Sequence, residues 1–150
     1  MGSVLSFIRV TPEELDRAMA DPEWAMEQVV DDEDRPDCYL DKAWAGIQFL
    51  LDAAGVRVDL YDDGDVIDEE CTLLAWDAGM VADAARALNA APFEVLARHF
   101  DPERMTERKV YPQLWDDDDL DYLERHHAEL VEFFAATAAS DDAAVRYFNF

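Results

Sequence analysis

Two short apolar segments at the ends of the chain constrain its fold more than any other feature. Residues 3–10 have the sequence SVLSFIRV, and residues 144–150 have the sequence AVRYFNF. Both are rich in the β-branched and aromatic side chains that are typical of strands, and both are apolar at alternate positions. Because the backbone N–H and C=O groups of a buried strand need partners, we expect the two segments to pair with each other in one small sheet.

Helix patterns fill most of the chain between these two strands. Thr11, Pro12 and Glu14 together have the form of a capping box, which predicts a helix directly after the first strand. The clearest helix is residues 40–54, whose apolar side chains recur at helical spacing and which Gly55 would end. The other predicted segments are helices at 21–30, 78–90, 92–100 and 118–139, a loop at 31–37, a buried strand at 70–76 and a turn at 101–105.

The order of these segments predicts the fold class. With 150 residues, the chain is long enough for one domain with its own core, and no linker or internal repeat divides it. Helices interspersed with a few strands are typical of an α+β fold. We therefore expect a single, mostly helical domain, residues 1–150, packed on a small sheet that includes the N- and C-terminal strands.

The charge of the chain restricts its partners. There are 36 acidic residues and 12 basic ones, which gives a formal net charge of −24 at pH 7. Nucleic acid and anionic membranes both require positive charge for binding, so neither is expected as a partner. A basic protein is the partner that such a surface attracts, through acidic runs at 31–34, 62–70 and 116–121. An acidic composition that reflects genome bias or a salty cytoplasm is the open alternative.

Several segments occur in an order that resembles a known family. These are MGSVLSFIRVTPEEL at the start, LDKAWAGIQFLLDAAG from residue 40, HFDPERMTERKVYPQLW from residue 99, and the final helix and strand. The most specific pieces are Asp41-Lys42-x-Trp44 and Tyr111-Pro112-x-x-Trp115. Over essentially its whole length, the chain is similar to the YfbM-like family of small bacterial proteins.

This resemblance implies a compact α+β domain but no particular chemistry, because the family has no established biochemical function. It also implies a histidine in the Trp-containing helix, where this chain has Gln48. An amide cannot act as a general acid or base near neutral pH. A mechanism that requires proton transfer by a histidine at that position is therefore not expected here.

A candidate binding cleft consists of Asp41, Trp44, Gln48, Tyr111 and Trp115. In the predicted helix, Trp44 is about one turn after Asp41 and one turn before Gln48. Tyr111 and Trp115 flank a proline in an irregular segment, and aromatic side chains beside polar groups on such a segment often line small-molecule clefts. In the alternative interpretation, Trp44 belongs to the core, Asp41 caps the helix, and Tyr111 and Trp115 only hold a loop down.

Two acidic motifs near the last helix look like metal sites. Asp116–Asp119 coincide with the predicted helix start, where unpaired N–H groups favour carboxylates, so we interpret them as helix-start residues. Glu124 and His127 have the Glu-x-x-His spacing of di-iron bundles, but the chain lacks the second pair that such a site needs. His127 lies on the apolar seam of the helix, so we expect it to be buried and His126 to be exposed.

Residues 59–70 match a calcium-binding loop only in part. Tyr61 and Ile67 occupy positions where that loop has an oxygen ligand or a water-mediated contact. The sequence therefore predicts no metal ion and no cofactor.

The remaining patterns favour a protein without catalytic activity. We find no nucleophile elbow, phosphate loop or dinucleotide fingerprint. Cys38 and Cys71 form no metal or disulfide pattern, and no signal peptide or membrane span is recognisable, which is typical of a cytoplasmic protein. We predict a non-catalytic acidic interaction protein. The alternative is a small-molecule-binding protein or enzyme with a cleft around Trp44 and Tyr111.

Overall fold

An antiparallel sheet forms the middle of the computed structural model, which describes residues 2–150. Its five strands, within that range, have the order β2-β1-β5-β4-β3. They are β1 (Val4–Val10), β2 (Asp37–Tyr39), β3 (Asp65–Val66), β4 (Leu73–Trp76) and β5 (Ala143–Asn149).

The two terminal strands pair with each other, as the sequence predicts. Strand β1 runs antiparallel to β5 from the pair Val4 and Asn149 to the pair Val10 and Ala143. Because they lie at the centre of the sheet, the backbone groups of both strands are bonded on two sides. The edge strands β2 and β3 have only three and two residues, so little strand edge is left open to another chain.

Helices cover both faces of this sheet, which confirms the α+β fold class. One core lies between the sheet and α3, α4 and α7, and the other between the sheet and α1, α2 and the π-helical turn. Alternating residues serve the two cores: Phe7 and Phe148 face the first, and Ile8 and Val145 the second. The helices are α1 (Pro12–Ala20), α2 (Pro22–Ala25), α3 (Trp44–Ala53), α4 (Ala78–Ala90), α5 (Phe93–Ala97), α6 (Pro102–Glu107) and α7 (Asp119–Ala139), with the π-helical turn at Met26–Val30.

The helix predicted for residues 40–54 begins four residues later, at Trp44. The backbone N–H of Leu40 donates to Leu5 O over 2.9 Å, so Leu40 continues the pairing of β2 with β1. Asp41 has a φ of +51°, in the left-handed region. The interpretation of Asp41 as the helix cap is therefore wrong, and the cap position is Ala43, which makes no side-chain capping bond.

Local capping determines two other helix starts. At α1, the Thr11 side chain accepts from Glu14 N, and Glu14 returns a bond to Thr11 N, so the predicted capping box is present. The predicted turn at 101–105 is instead the start of α6, because Asp101 caps the backbone N–H of Arg104 over 3.1 Å. Its six residues, beginning with Pro102, form a short helix where the sequence predicts only a turn.

The histidines of α7 are both buried. His127 has 4% of its surface exposed, which confirms its predicted place in the core, and its ring centroid lies 5.3 Å from that of Phe93. The sequence predicts an exposed His126, but only 7% of its surface is accessible, and its ring packs edge-on against Tyr122. The prediction for His126 is wrong because other elements cover α7 on more than one side, so the buried face of this helix includes residues beyond its apolar positions.

Candidate functional site

Trp44 lies in an aromatic cluster at the first turn of α3. Its ring stacks on Tyr61 and on Tyr111, with centroid distances of 5.6 and 5.9 Å and interplanar angles of 20° and 23°. The ring of Phe148, on β5, meets Trp44 edge-on at 5.3 Å. We call these four residues the aromatic cluster. The structure thus joins Trp44 to Tyr111 and adds Tyr61 and Phe148, which lie far from both in the sequence.

Polar bonds hold the aromatic cluster on the start of β1. The indole Nε1 of Trp44 donates to Ser3 O over 3.0 Å, and the hydroxyl of Tyr111 accepts from Ser3 N over 2.8 Å. One residue, directly before the first strand, therefore fixes both rings. This arrangement explains why Trp44 and Tyr111 meet although 67 positions separate them in the sequence.

Gln48 holds residues 58–60, which directly precede Tyr61, against α3. Its side-chain oxygen accepts from Leu60 N over 2.8 Å, and its amide nitrogen donates over 2.8 Å to both Val58 O and Asp52 Oδ1. Both ends of the amide are thus occupied, and they position the segment that carries Tyr61. Gln48 has a structural function in this arrangement, which accounts for an amide at this position.

Of the other two predicted cleft residues, Asp41 contacts α7 and Trp115 contacts α3. Asp41 Oδ2 accepts from the hydroxyl of Tyr122 over 2.9 Å, and burial, followed by this bond, raises the pKa of Tyr122. The Trp115 ring lies against Gly46, where an added Cβ would come within 2.5 Å of its Cη2 atom. Since Trp44 and Gly46 are about 200° apart around a helix, the Trp115 contact forms on the other side of α3.

Arg146 is a buried cation directly beneath the cluster, and the sequence analysis missed it. Only 1% of its surface is exposed, and its guanidinium donates to Tyr61 O over 3.0 Å and to Cys71 O over 2.6 Å. Within the described chain, no carboxylate lies within ion-pair distance of it, and burial lowers its pKa. The alternation in β5, which places Arg146 between Ala144 and Phe148 on the inner face, is the sequence signal that could have found it.

The three acidic runs occupy separate parts of the molecule. Residues 31–34 precede β2 at one edge of the sheet, and residues 62–70 contain β3 at the opposite edge. Residues 116–121 lie at the start of α7. The runs therefore do not converge on one continuous surface.

At the start of α7, the aspartates bond to the local backbone. Asp116 Oδ1 accepts from Asp118 N, and Asp119 Oδ2 accepts from Asp116 N, both over 2.9 Å. Asp118 occupies the cap position, but its side chain makes no capping bond. These contacts agree with the interpretation of the run as helix-start residues.

The partial calcium loop forms a turn of its own. Asp59 Oδ1 accepts from the backbone of Tyr61 and Asp62, and Asp63 Oδ2 accepts from Asp59 N over 3.0 Å. In residues 2–150, no group of three or more His, Cys, Asp or Glu side chains could hold a metal ion. Over the same residues, no helix has the length and apolar character needed to cross a membrane.

Comparisons with known proteins agree with the fold and identify no biochemical activity. The crystal structure of YfbM from Escherichia coli, a protein of unknown function, matches with a TM-score of 0.72 at 12% sequence identity. The match covers 97% of this chain and 99% of that one, and at this identity it shows the fold alone. A comparison with curated proteins gives no match. Residues 1–147 match the family described as a domain of unknown function, DUF1877, so the chain belongs to this YfbM-like family, as the resemblance predicted.

Proposed function

We propose that the chain is a non-catalytic binding protein whose acidic surface binds a basic protein. One observation carries this proposal: the acidic side chains have few basic neighbours. Among residues 2–150, only Glu14, Asp32, Asp83 and Asp142 form an ion pair with an arginine, although the chain has 36 acidic residues. Unpaired carboxylates at the surface attract cationic partners and accelerate their association.

The run 116–121 is the best-suited contact of the three. Asp116, Asp117 and Asp118 are all exposed. Leu114, just before them, has 81% of its surface exposed. An apolar side chain beside carboxylates matches a partner segment that combines lysines or arginines with an apolar residue. Since the three runs lie apart, we assign the contact to this run and not to the surface as a whole.

A matched pair of variants tests this assignment. The first replaces Asp116, Asp117, Asp118 and Asp119 with Asn, which keeps an oxygen acceptor for the helix-start bonds. The control replaces Asp62 and Asp65 with Asn and Glu69 and Glu70 with Gln, so that both variants lose four charges. The probe is a fluorescent synthetic peptide rich in Lys, Arg and Leu, and its anisotropy is measured at low and moderate NaCl.

We expect the change at 116–119 to weaken peptide binding several times more than the control change does. Binding by the unchanged protein should also weaken as salt rises, because exposed charges are screened over about 10 Å at 0.1 M ionic strength. Equal losses in the two variants would mean that net charge alone attracts the peptide, and the assignment to this run would be wrong. If neither variant binds less peptide, the acidic surface is not the contact.

The aromatic cluster supports a second candidate function, the binding of a small molecule near Trp44 and Tyr111. The observation in its favour is the buried Arg146, which lies beneath Tyr61 without a carboxylate partner; Tyr61 itself is 38% exposed. A thermal-shift screen of metabolites distinguishes the two functions. A ligand of the cluster should stabilise the unchanged protein but not a Tyr61→Ala variant, and its effect should depend little on salt.

A further inference from the structure

An open cavity of about 710 Å³ lies between the last turns of α3 and the segment that leads from α5 into α6. Phe49 lines it from α3, while Arg98, His99, Phe100, Arg104 and Arg108 line it from the other side. Small-molecule sites in proteins commonly have volumes of about 300–1,000 Å³. The cavity is therefore large enough for a metabolite.

Three arginines of this cavity lack an acidic partner. Arg98, Arg104 and Arg108 are exposed, and within residues 2–150 none of them lies within 4.0 Å of a carboxylate oxygen. Elsewhere in the chain, by contrast, Arg9 and Arg35 both form ion pairs. Within the same residues, Arg17, Arg57, Arg125 and Arg146 form no ion pair either, so what distinguishes Arg98, Arg104 and Arg108 is that all three line one cavity.

The two carboxylates that line the cavity are engaged elsewhere. Asp52 Oδ1 accepts from the Gln48 side chain over 2.8 Å, and Asp101 Oδ1 accepts from Arg104 N over 3.1 Å as the cap of α6. Neither reaches a guanidinium at ion-pair distance. Residues 98–109 contain four bases and three acids, whereas the other residues contain eight bases and thirty-three acids. Three arginines and two aspartates line the cavity, so its formal charge is positive although that of the whole chain is −24.

The cavity also has an apolar part. Phe49 and Phe100 are half-buried, pack against the larger core and line the cavity at the same time. The exposed side of each ring can contact an apolar or planar ligand body, while the guanidinium groups bind oxyanions in a two-pronged geometry. This combination fits a ligand that has both a ring or hydrocarbon portion and anionic groups.

We infer that this cavity binds a small organic anion with phosphate or carboxylate groups, which Arg98, Arg104 and Arg108 hold. This site is distinct from the proposed acidic contact, because it takes a ligand of opposite charge and none of residues 116–121 lines the cavity. A peptide rich in basic residues should not compete for it. The two proposals can therefore succeed or fail separately.

The test measures binding of defined anions to the full chain by titration calorimetry. The probes are AMP, citrate and inorganic phosphate, and adenosine serves as the uncharged match of AMP. We expect AMP or citrate to bind, inorganic phosphate to bind more weakly because it lacks an organic body, and adenosine not to bind. Preference for AMP over citrate would identify an organic phosphate as the ligand class, and the reverse preference a polycarboxylate.

Two triple variants with the same net charge determine where the anion binds. In one, Arg98, Arg104 and Arg108 are changed to Gln; in the control, Arg17, Arg57 and Arg125, which form no ion pair and lie outside the cavity, are changed to Gln. The cavity variant should lose about tenfold or more in affinity, as expected when charge-assisted bonds are removed. The control variant should retain its affinity to within about twofold.

Several results would overturn the inference. These are the absence of binding by all three anions at millimolar concentration, equal affinity for AMP and adenosine, and equal losses in the two triple variants. Circular dichroism and thermal unfolding verify that both variants are folded, so a loss of binding cannot be attributed to unfolding. Binding of the basic peptide should not decrease in either variant, which separates this outcome from that of the acidic contact.

Discussion

At the first turn of α3, Trp44 lies between Tyr61 and Tyr111, whereas at the last turns Phe49 and Asp52 line an open cavity. At the first end, Trp44 Nε1 donates to Ser3 O, and the two terminal nitrogens of the buried Arg146 guanidinium donate to backbone carbonyls. At the other end, arginine side chains reach solvent without a partner. The same type of side chain therefore stabilises the fold at one end of the helix and is available to a ligand at the other.

The largest effect on stability is expected from Arg146→Ala, beneath the aromatic cluster at the first turn of α3. This change removes a fully buried side chain and leaves the carbonyl groups of Tyr61 and Cys71 without their donor. We expect a loss of about 3 kcal/mol in the free energy of unfolding, which urea denaturation would measure. Arg98→Ala at the open end is the control, and a similar loss in both variants would contradict the difference between the two ends.

A smaller loss is expected from Gly46→Ala, which tests the packing of α3 against Trp115. An added Cβ would lie 2.5 Å from Trp115 Cη2 and 2.8 Å from Leu123 Cδ2, so the helix and the ring must move apart. We expect a cost of about 2 kcal/mol in the free energy of unfolding, despite the better helix propensity of alanine. The matched change Gly79→Ala, whose nearest atom is an Asp77 side-chain oxygen at 3.3 Å, should stay within about 1 kcal/mol of the unchanged protein.

Arg35, which forms an ion pair with Glu14 of α1, shows how much a paired arginine contributes to stability, for comparison with the unpaired ones. Arg35 donates to both carboxylate oxygens of Glu14, and this bond, assisted by Thr11, lowers the pKa of Glu14 from 4.5 to about 2. Since the folded-state pKa is the lower one, the pair stabilises the fold at neutral pH, and this stability is lost as pH falls from about 4.5 towards 2.

Comparison with Glu14→Gln, which keeps an oxygen acceptor for the cap, isolates the effect of the charge. We expect a difference of less than about 1 kcal/mol at pH 7, because the pair is partly exposed and screened. Urea denaturation across this pH range should show the difference shrinking as acid is added. A difference that is constant with pH would show that the Glu14 charge does not stabilise the fold.

The features that could be predicted from the sequence depend on local patterns. The pairing of the terminal strands follows from the apolar residues at alternate positions in both. The start of α1 follows from Thr11 and Glu14, which are only three residues apart. The start of α3 could not be predicted in this way, because it depends on the bond from Leu40 to a carbonyl of β1. The burial of His126 likewise depends on how α7 lies in the fold.

The same distinction applies to the candidate sites. The sequence associates Trp44 with Tyr111 because both are aromatic side chains beside polar groups in the family-like segments, and in the structure the two rings stack. Tyr61 joins them through long-range bonds, among them those from Gln48 to Val58 and Leu60 and from Arg146 to Tyr61 O, and these bonds cannot be inferred from spacing. The arginines of the cavity lie close together in sequence, but their cavity exists only because the end of α3 lies opposite them.

The smallest effect on stability is expected at the open end of α3, where the absence of an effect is informative. Arg98, Arg104 and Arg108 are exposed and form no ion pair within the described residues, so each change to Gln should alter the free energy of unfolding by less than about 0.5 kcal/mol. The changes make the net charge more negative, which slightly increases self-repulsion, but salt screens this term. Urea denaturation of the three single variants at 0.15 M NaCl would measure the effect. A loss of 2 kcal/mol or more in any of them would show that the arginine stabilises the fold, as Arg146 does, and the contrast between the two ends of α3 would disappear.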